Sequence, residues 1–271
     1  MKKITDKDYT LPVIKALQGI KLFESGTTQP MLIRGINTVT YEKSDFIVKY
    51  IGSPRMSPES SCRELTAAFL AMELGLNVAE PAVIEVSQEF TDAIRGKQGY
   101  PFAINSIGLN FGSKFLGYGF IELLRNQELN DDQYKQAVQI FAFDLLISNA
   151  DRNNRKQNLL TDGKEIAIFD HEMAFGFVMD IIKNPTPWIF STIEKTWIKE
   201  HFFYPLLKQN EHNFDNFVQS FAVINEVFWD KATALIPNEW ITDQFDEIKQ
   251  TLTKIIEHKA TFLDELKKVL S

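Results

Sequence analysis

The sequence predicts an α+β fold of two lobes, an N-terminal antiparallel sheet with one helix and a mainly helical C-terminal lobe. Three short apolar runs separated by polar turns occupy residues 20–51, which is typical of an antiparallel meander. Apolar residues recur at helical spacing over residues 131–147 and again after residue 191. We expect residues 1–107 to form the first lobe and residues 108–271 the second, within a single domain.

Composition and charge limit the class of protein. The 271 residues carry a formal net charge of −7 without a long Lys/Arg cluster, so we expect no nucleic-acid partner. No apolar run reaches the roughly 18 residues of a membrane-spanning helix, and no signal-peptide apolar stretch follows the basic start of the chain. Cys62 is the only cysteine, which excludes an intrachain disulfide. We therefore expect a soluble cytoplasmic protein without a membrane partner.

The three strands of the meander are predicted around Ile20–Phe23, Met31–Ile36 and Phe46–Ile51. The turn after the first strand contains Ser25 and Gly26, and backbone N–H groups in such a turn can bind phosphate oxygens. An ordinary hairpin turn explains these two residues equally well.

Two more strands are predicted to complete the N-terminal sheet, over Ala82–Val86 and over Phe102–Ile107. Residues 87–99 between them are polar and are expected to form a loop or a short helix. The strand over Phe102–Ile107 would lead into the connection between the lobes.

Lys49 lies inside the third apolar run and, with strict alternation, points to the same face as Ile47 and Ile51. A lysine that faces the interior is costly unless it is paired. A helix is predicted over residues 57–74, with a serine at its N-cap and a glycine after its last turn. Glu64 lies at the edge of the apolar stripe of this helix. We therefore predict an ion pair between Lys49 and Glu64, although each residue alone is compatible with a surface position.

The C-terminal lobe is predicted to open with a helix that Asn130 or Asp131 caps and that ends near Ile147. Asp144, near its end, is expected either to accept backbone N–H bonds from the following loop or to be an ordinary helix carboxylate. The last helix is predicted as one stripe over residues 245–266, interrupted at one lysine.

A hairpin is predicted around Asp162 and Gly163, because this pair lies between two apolar runs and glycine tolerates positive φ. In a tight hairpin the start of the first strand, Asn158, lies near the end of the second, Asp170. Asp151 reaches the same corner from the preceding helix. Oxygen ligands of this kind suit Mg²⁺ that carries the phosphates of a nucleotide, with one carboxylate left to accept a hydroxyl proton.

This stretch resembles the HipA-like kinases and, more distantly, phosphatidylinositol-kinase-like and protein kinases. The resemblance lies in three motifs, Asn149-Ala150-Asp151-Arg152, Asn158-Leu159-Leu160 and Ile168-Phe169-Asp170-His171. It implies a kinase-like fold that uses ATP and Mg²⁺ to phosphorylate a hydroxyl group, in this class a Ser or Thr of a protein.

The resemblance also implies roles for single residues. Asp151 and Arg152 would be catalytic, and Asn158 and Asp170 would bind the metal. The nucleotide would be bound by the metal ligands together with Lys49, Glu64, Ser25 and Gly26. HipA-like kinases are often toxins, so an antitoxin-like protein partner is also implied.

Several alternatives stay open at this point. Asn153 or Asn154 would compete with Asn158 for the metal, because protein kinases place this asparagine five residues after the catalytic aspartate and Lys156 stands there. Arg155 and Lys156 would neutralise phosphate charge or position an acidic substrate. The chain as a whole would alternatively be an inactive kinase-like binding module, or a kinase for a lipid or small-molecule hydroxyl.

Overall fold

The computed structural model describes residues 2–24, 27–117, 119–190 and 196–271. It combines helices and strands, as the sequence predicts. The strands are β1 Val13–Leu22, β2 Met31–Asn37, β3 Lys43–Lys49, β4 Pro81–Val86, β5 Gly108–Lys114, β6 Ile121–Glu122, β7 Leu159–Thr161 and β8 Ile166–Ile168. The helices are α1 Pro58–Glu73, α2 Gln88–Ala93, α3 Tyr100–Ile104, α4 Asp131–Leu146, α5 Thr196–Glu200, α6 Tyr204–Leu207, α7 Asp215–Gln219, α8 Glu226–Leu235, α9 Asp243–Glu257 and α10 Lys259–Leu270.

Five strands close into a barrel in the order β1-β2-β3-β5-β4. The meander of β1, β2 and β3 is antiparallel, as predicted, but β1 and β4 pair in parallel, with Val13 opposite Val83. Strand directions cannot alternate all the way round a closed ring of five, so one neighbouring pair has to be parallel. The expectation of a purely antiparallel sheet is therefore corrected at this pair.

The prediction of a strand over Phe102–Ile107 is wrong, because residues 100–104 form the short helix α3. Pro101 occupies the first turn of that helix, where its fixed φ and missing N–H are compatible with helix. The strand begins only at Gly108 and pairs with both β3 and β4. Residues 108–114 thus belong to the barrel. The division into two lobes at residue 107 stays a prediction.

Helix α1 begins where the sequence predicts it to begin. Ser57 is the N-cap, and it exchanges hydrogen bonds with Ser60 in a capping box. All residues of α1 from Ser60 to Glu73 are buried, because the helix lies between the barrel on one side and α9 on the other. Glu64 is therefore inside the protein rather than on a half-exposed helix face.

The C-terminal helices pack into one continuous apolar core with α1, α4 and the β7–β8 hairpin. Asn130 caps α4, as predicted. The single last helix that the sequence predicts is instead two helices, α9 and α10, which meet at His258 just before the interrupting Lys259. Within the described part of the chain, none of the helices has the length and apolar character needed to cross a membrane.

Candidate active site

The β7–β8 hairpin brings Asn158 and Asp170 together, as predicted. Leu159 pairs with Ile168, and the Phe169 N–H donates to the carbonyl oxygen of Asn158 at 3.3 Å. Asn158 and Asp170 both have left-handed backbones, with φ of 50° and 57°. Asn and Asp are the residues other than glycine that adopt this conformation most readily. Strained backbone of this kind is concentrated at functional sites, where the surroundings hold it in place.

The predicted ion pair between Lys49 and Glu64 is present. The ammonium of Lys49 is buried and contacts Glu64, and it also contacts Asp170 Oδ1 at 2.6 Å. Burial by itself would lower the pKa of Lys49, but the negative charges of Asp170, Glu64 and the nearby Glu172 outweigh burial and raise it. Lys49 is therefore in its charged form at neutral pH.

Glu64 is fixed from a second direction, because its Oε2 accepts a hydrogen bond from the backbone N–H of His171 at 2.9 Å. His171 is buried and its pKa is lowered to about 3, by burial first and then by the charge of Arg152. Its ring is therefore neutral, and its nearest polar contact is with Arg152, at 3.3 Å. The histidine thus lies within the hydrogen-bonded loop.

Glu172 is a site residue that the sequence analysis missed. One carboxylate oxygen from each of Glu64, Asp170 and Glu172 lies within 4.8 Å of the others. Glu172 is 4% exposed, and its Oε2 has no hydrogen-bond partner among the residues that the structure describes. Burial, and then the charge of Asp170, raise the pKa of this carboxyl group. An acid two positions after Asp170 was the only signal in the sequence.

The donor set suits a divalent cation. The side-chain Nδ2 of Asn158 is buried and lacks a hydrogen-bond partner in the described residues, so its nitrogen does not tie the amide to another side chain there. Carboxylate and amide oxygens are the ligands that Mg²⁺ prefers. Two other asparagines compete with Asn158 for this role. The side-chain oxygen of Asn153 accepts hydrogen bonds from the backbone N–H groups of Arg155 and Lys156 within its own loop, and Asn154 is exposed.

Asp151 lies beside the same corner, half-buried. Its Oδ2 pairs with the ammonium of Lys156 at 3.3 Å. Burial raises the pKa of Asp151, Lys156 opposes this increase, and the charge of Asp170 adds to it. The ion pair with Lys156 therefore favours the ionised carboxylate, which is the form that can accept a proton.

Arg152 is fully buried behind the loop instead of facing the open site. Its guanidinium donates to Asp144 Oδ2 at 2.6 Å and to the carbonyl oxygen of Asn158 at 2.6 Å. Asp144 in turn accepts hydrogen bonds from the side chains of Asn149 and His201, at 2.8 and 3.0 Å. The expected acceptance of backbone N–H groups is thus corrected, because the partners of the Asp144 carboxylate are side chains.

Burial by itself would raise the pKa of Asp144. The charge of Arg152 and the hydrogen bond from His201 outweigh burial and lower the pKa to about 2. Asp144 and Arg152 thus form a buried ion pair that connects the end of α4 to the loop around Asp151 and to the start of β7.

A cleft of about 470 Å³ opens between the barrel and the hairpin, within the size range of small-molecule sites. The polar and charged residues that line it include Lys49, Glu64, Asn158, Asp170 and Lys156. Its apolar lining includes Ile47, Ala79, Phe111, Leu116, Leu160 and Phe169. Ser25 and Gly26 lie outside the described residues, and the adjacent Thr27 and Thr28 line the cleft.

The chain matches a known protein family over most of its length. Residues 18–268 match the model of a family described as HipA-like kinase. A search of curated proteins finds no relative that matches. Because the family model covers nearly the whole chain, including every motif residue described above, this protein belongs to the HipA-like kinase family.

Proposed function

We propose that the chain transfers the γ-phosphoryl group of ATP to a hydroxyl group in a Mg²⁺-dependent reaction. The observation that carries this proposal is the contact of Lys49 with both Glu64 and Asp170 in the wall of a cleft. A buried ammonium held by two carboxylates is positioned before any ligand arrives. Little side-chain entropy is then lost when a phosphate binds, which favours affinity.

On the nucleotide side, Lys49 binds the α- and β-phosphates and Glu64 keeps its ammonium in place, as in other kinases. The apolar lining of the cleft, with Ile47 and Phe111, receives the adenine. The turn that contains Ser25 and Gly26 is proposed to cover the phosphates. Its neighbours Thr27 and Thr28 line the cleft, which supports this position.

Asn158 and Asp170 would hold the Mg²⁺, with the carboxylate of Glu172 nearby. When bound, Mg²⁺ neutralises negative charge on the phosphate oxygens. Lys49 already contacts Asp170, so one carboxylate serves both the lysine and the metal. The backbone of Asn158 is left-handed, and its carbonyl oxygen accepts a hydrogen bond from Arg152, so the position of this residue is fixed from its own main chain.

Asp151 accepts the proton of the acceptor hydroxyl or orients that hydroxyl for attack. Lys156 beside it is placed to stabilise negative charge on the transferred group. Arg152 acts through the loop, as a positioning residue, because its guanidinium is enclosed by Asp144, Asn158 and His171. In this proposal the acceptor is a Ser or Thr of a protein, and an antitoxin-like protein is a further partner, both as the family resemblance implies.

The proposal is tested with γ-labelled ATP and Mg²⁺, by following label transferred to protein or to water. Asp151→Asn and Asp170→Asn are each expected to lower transfer by about 100-fold or more. Asp132→Asn is the matched control, because Asp132 is an exposed aspartate of α4. It is expected to match the wild-type protein.

Equilibrium binding of ATP separates the roles of the two aspartates. Asp151→Asn is expected to keep Mg²⁺-dependent binding, whereas Asp170→Asn is expected to lose it. Binding without any transfer by the wild-type protein would contradict the proposed reaction and favour an inactive binding module. Transfer that survives both substitutions would contradict the assigned roles.

A further inference from the structure

His201 is a buried histidine that lies outside every motif discussed so far. It follows helix α5, and its ring is 1% exposed and packs edge-on against Phe141 at 5.0 Å between centroids. Its Nε2 lies 3.0 Å from Asp144 Oδ2, and its Nδ1 lies 3.1 Å from the backbone nitrogen of Phe203. Both ring nitrogens therefore have a partner.

These two contacts determine where the ring proton is. A backbone N–H can only donate, so Nδ1 of His201 accepts the hydrogen bond from Phe203 and carries no proton. The proton of the neutral ring is then on Nε2, which donates to the carboxylate of Asp144. Burial lowers the pKa of His201, although the hydrogen bond to Asp144 opposes this change, so the ring stays neutral.

The backbone around His201 contacts the loop that carries Asp151. The Phe202 N–H donates to the carbonyl oxygen of Arg152 at 3.0 Å. Asn153 and His201 form an antiparallel bridge. The segment around His201 is thus hydrogen-bonded to Arg152 and bridged to Asn153, the two residues that directly follow Asp151.

Asp144 completes the connection. Its carboxylate accepts from Asn149, two residues before Asp151, and from Arg152, one residue after it. The third donor to this carboxylate is His201, from a different part of the chain. Both flanks of Asp151 are therefore fixed to one carboxylate whose orientation His201 helps to set.

We propose that His201, as a neutral donor from Nε2 to Asp144, is a positioning residue for Asp151 in phosphoryl transfer. This inference rests on the proposed function. It makes the geometry of the Asp151 loop depend on the chain after α5, which lies more than 40 residues further along the sequence.

The test compares four proteins in the γ-labelled ATP assay with Mg²⁺. His201→Phe keeps a ring but removes the donor to Asp144. His201→Gln places an amide N–H about where Nε2 lies. His258→Phe is the matched control, because His258 is exposed at the junction of α9 and α10 and stacks on Trp188.

His201→Phe is expected to lower kcat by about tenfold, the effect of one hydrogen bond, with the KM for ATP within about twofold of wild type because Lys49 and Asp170 are untouched. His201→Gln is expected to recover most of the lost kcat, and His258→Phe to match the wild-type protein. If the Phe variant does not fold, His201→Asn replaces it, since its shorter amide leaves Asp144 without the third donor.

A purely structural role would give a different result, in which kcat and the KM for ATP change together and the Gln variant fails to recover kcat. That result, or full kcat in the Phe variant, would overturn the inference while leaving the proposed function intact. Absence of transfer by the wild-type protein would overturn both.

A second measurement is independent of activity. Nitrogen-15 NMR of the imidazole groups at pH 7 is expected to show a neutral ring with its proton on Nε2, assigned by its disappearance in His201→Gln. A cationic ring, or a proton on Nδ1, would overturn the inference.

Discussion

The charge of Asp144 is balanced by a single guanidinium, that of Arg152, in a place where both side chains have no exposed surface. Removing one partner of a buried ion pair strongly destabilises the folded protein, because the remaining charge has neither water nor a counter-ion around it. The pair fixes the loop around Asp151. Any change that neutralises Asp144 would lower the stability of the protein, because it leaves the charged Arg152 enclosed without a counter-ion.

Asp144→Asn is therefore expected to lower the free energy of unfolding by about 3–5 kcal/mol. Urea denaturation followed by circular dichroism measures this change. Asp132→Asn, in the same helix, removes an exposed carboxylate that forms a surface ion pair with the exposed Lys135, and it is expected to leave the midpoint unchanged within error. Equal midpoints for the two variants would contradict the assigned ion pair.

Lys49 illustrates how residue type and position together predict a contact. A lysine within an apolar run needs a partner, and Glu64 on the next helix provides it, so this pair could be predicted from the sequence. The position of Glu172 could not, because its approach to Glu64 depends on how the chain turns after Asp170. A single acid in a loop carries no periodic signal.

At the scale of elements, the close contact of β5 with its two neighbours depends on Gly112. This residue pairs with Val48 of β3 and with Ala82 of β4. A Cβ atom added at Gly112 would lie 2.7 Å from the backbone oxygen of Ile47 and would also meet the side chain of Ile84. A backbone oxygen of a paired strand cannot move away without breaking the ladder.

Gly112→Ala is thus expected to lower the free energy of unfolding by about 1–3 kcal/mol, because the added methyl group overpacks the barrel. Urea denaturation measures this change. It is also expected to raise the KM for ATP, because the displaced β3 carries Lys49. Gly119→Ala is the control, since no other part of the described chain comes within 4 Å of a Cβ atom there. A Gly112→Ala protein as stable as this control would show that the barrel expands without cost.

The sequence predicts elements well where a local signal is strong. Helix α1 and helix α4 both begin at the side chains that cap them, Ser57 and Asn130. The prediction fails at residues 102–107, because a short apolar run fits a strand and a buried helix equally well. Which of the two forms depends on where β5 has to begin in order to close the barrel, and that is a long-range requirement.

At the scale of the whole molecule, stability depends on pH through groups whose pKa differs between the folded and the unfolded protein. His201 has a folded pKa below its ordinary value of 6.5, because it is buried, with Asp144 and Arg152 as the charged groups that face it. The unfolded chain therefore binds this proton at a higher pH than the folded chain does. Such a group contributes stability above about pH 6.5, and this contribution is lost as the pH falls.

The free energy of unfolding is thus expected to decrease below about pH 6.5 more steeply in the wild-type protein than in His201→Gln. For one proton the difference in slope is at most about 1.4 kcal/mol per pH unit. Urea denaturation at several pH values between 7 and 5 measures it. His258→Gln, which alters an exposed histidine, is expected to keep the wild-type slope, and identical slopes in all three proteins would contradict the burial of a neutral His201.

The closed barrel has a consequence for recognition. In an open sheet the outer strands expose unpaired N–H and C=O groups, and a partner can bind by adding a strand of its own. Each of the five barrel strands here already has a neighbour on both sides. Only part of β1 departs from this rule, because it pairs with β4 over Val13–Lys15 alone. Over the rest of the ring, a protein that recognises the barrel, whether substrate or regulator, has to do so through side chains and loops, where specificity depends on residue identity rather than on a shared backbone ladder.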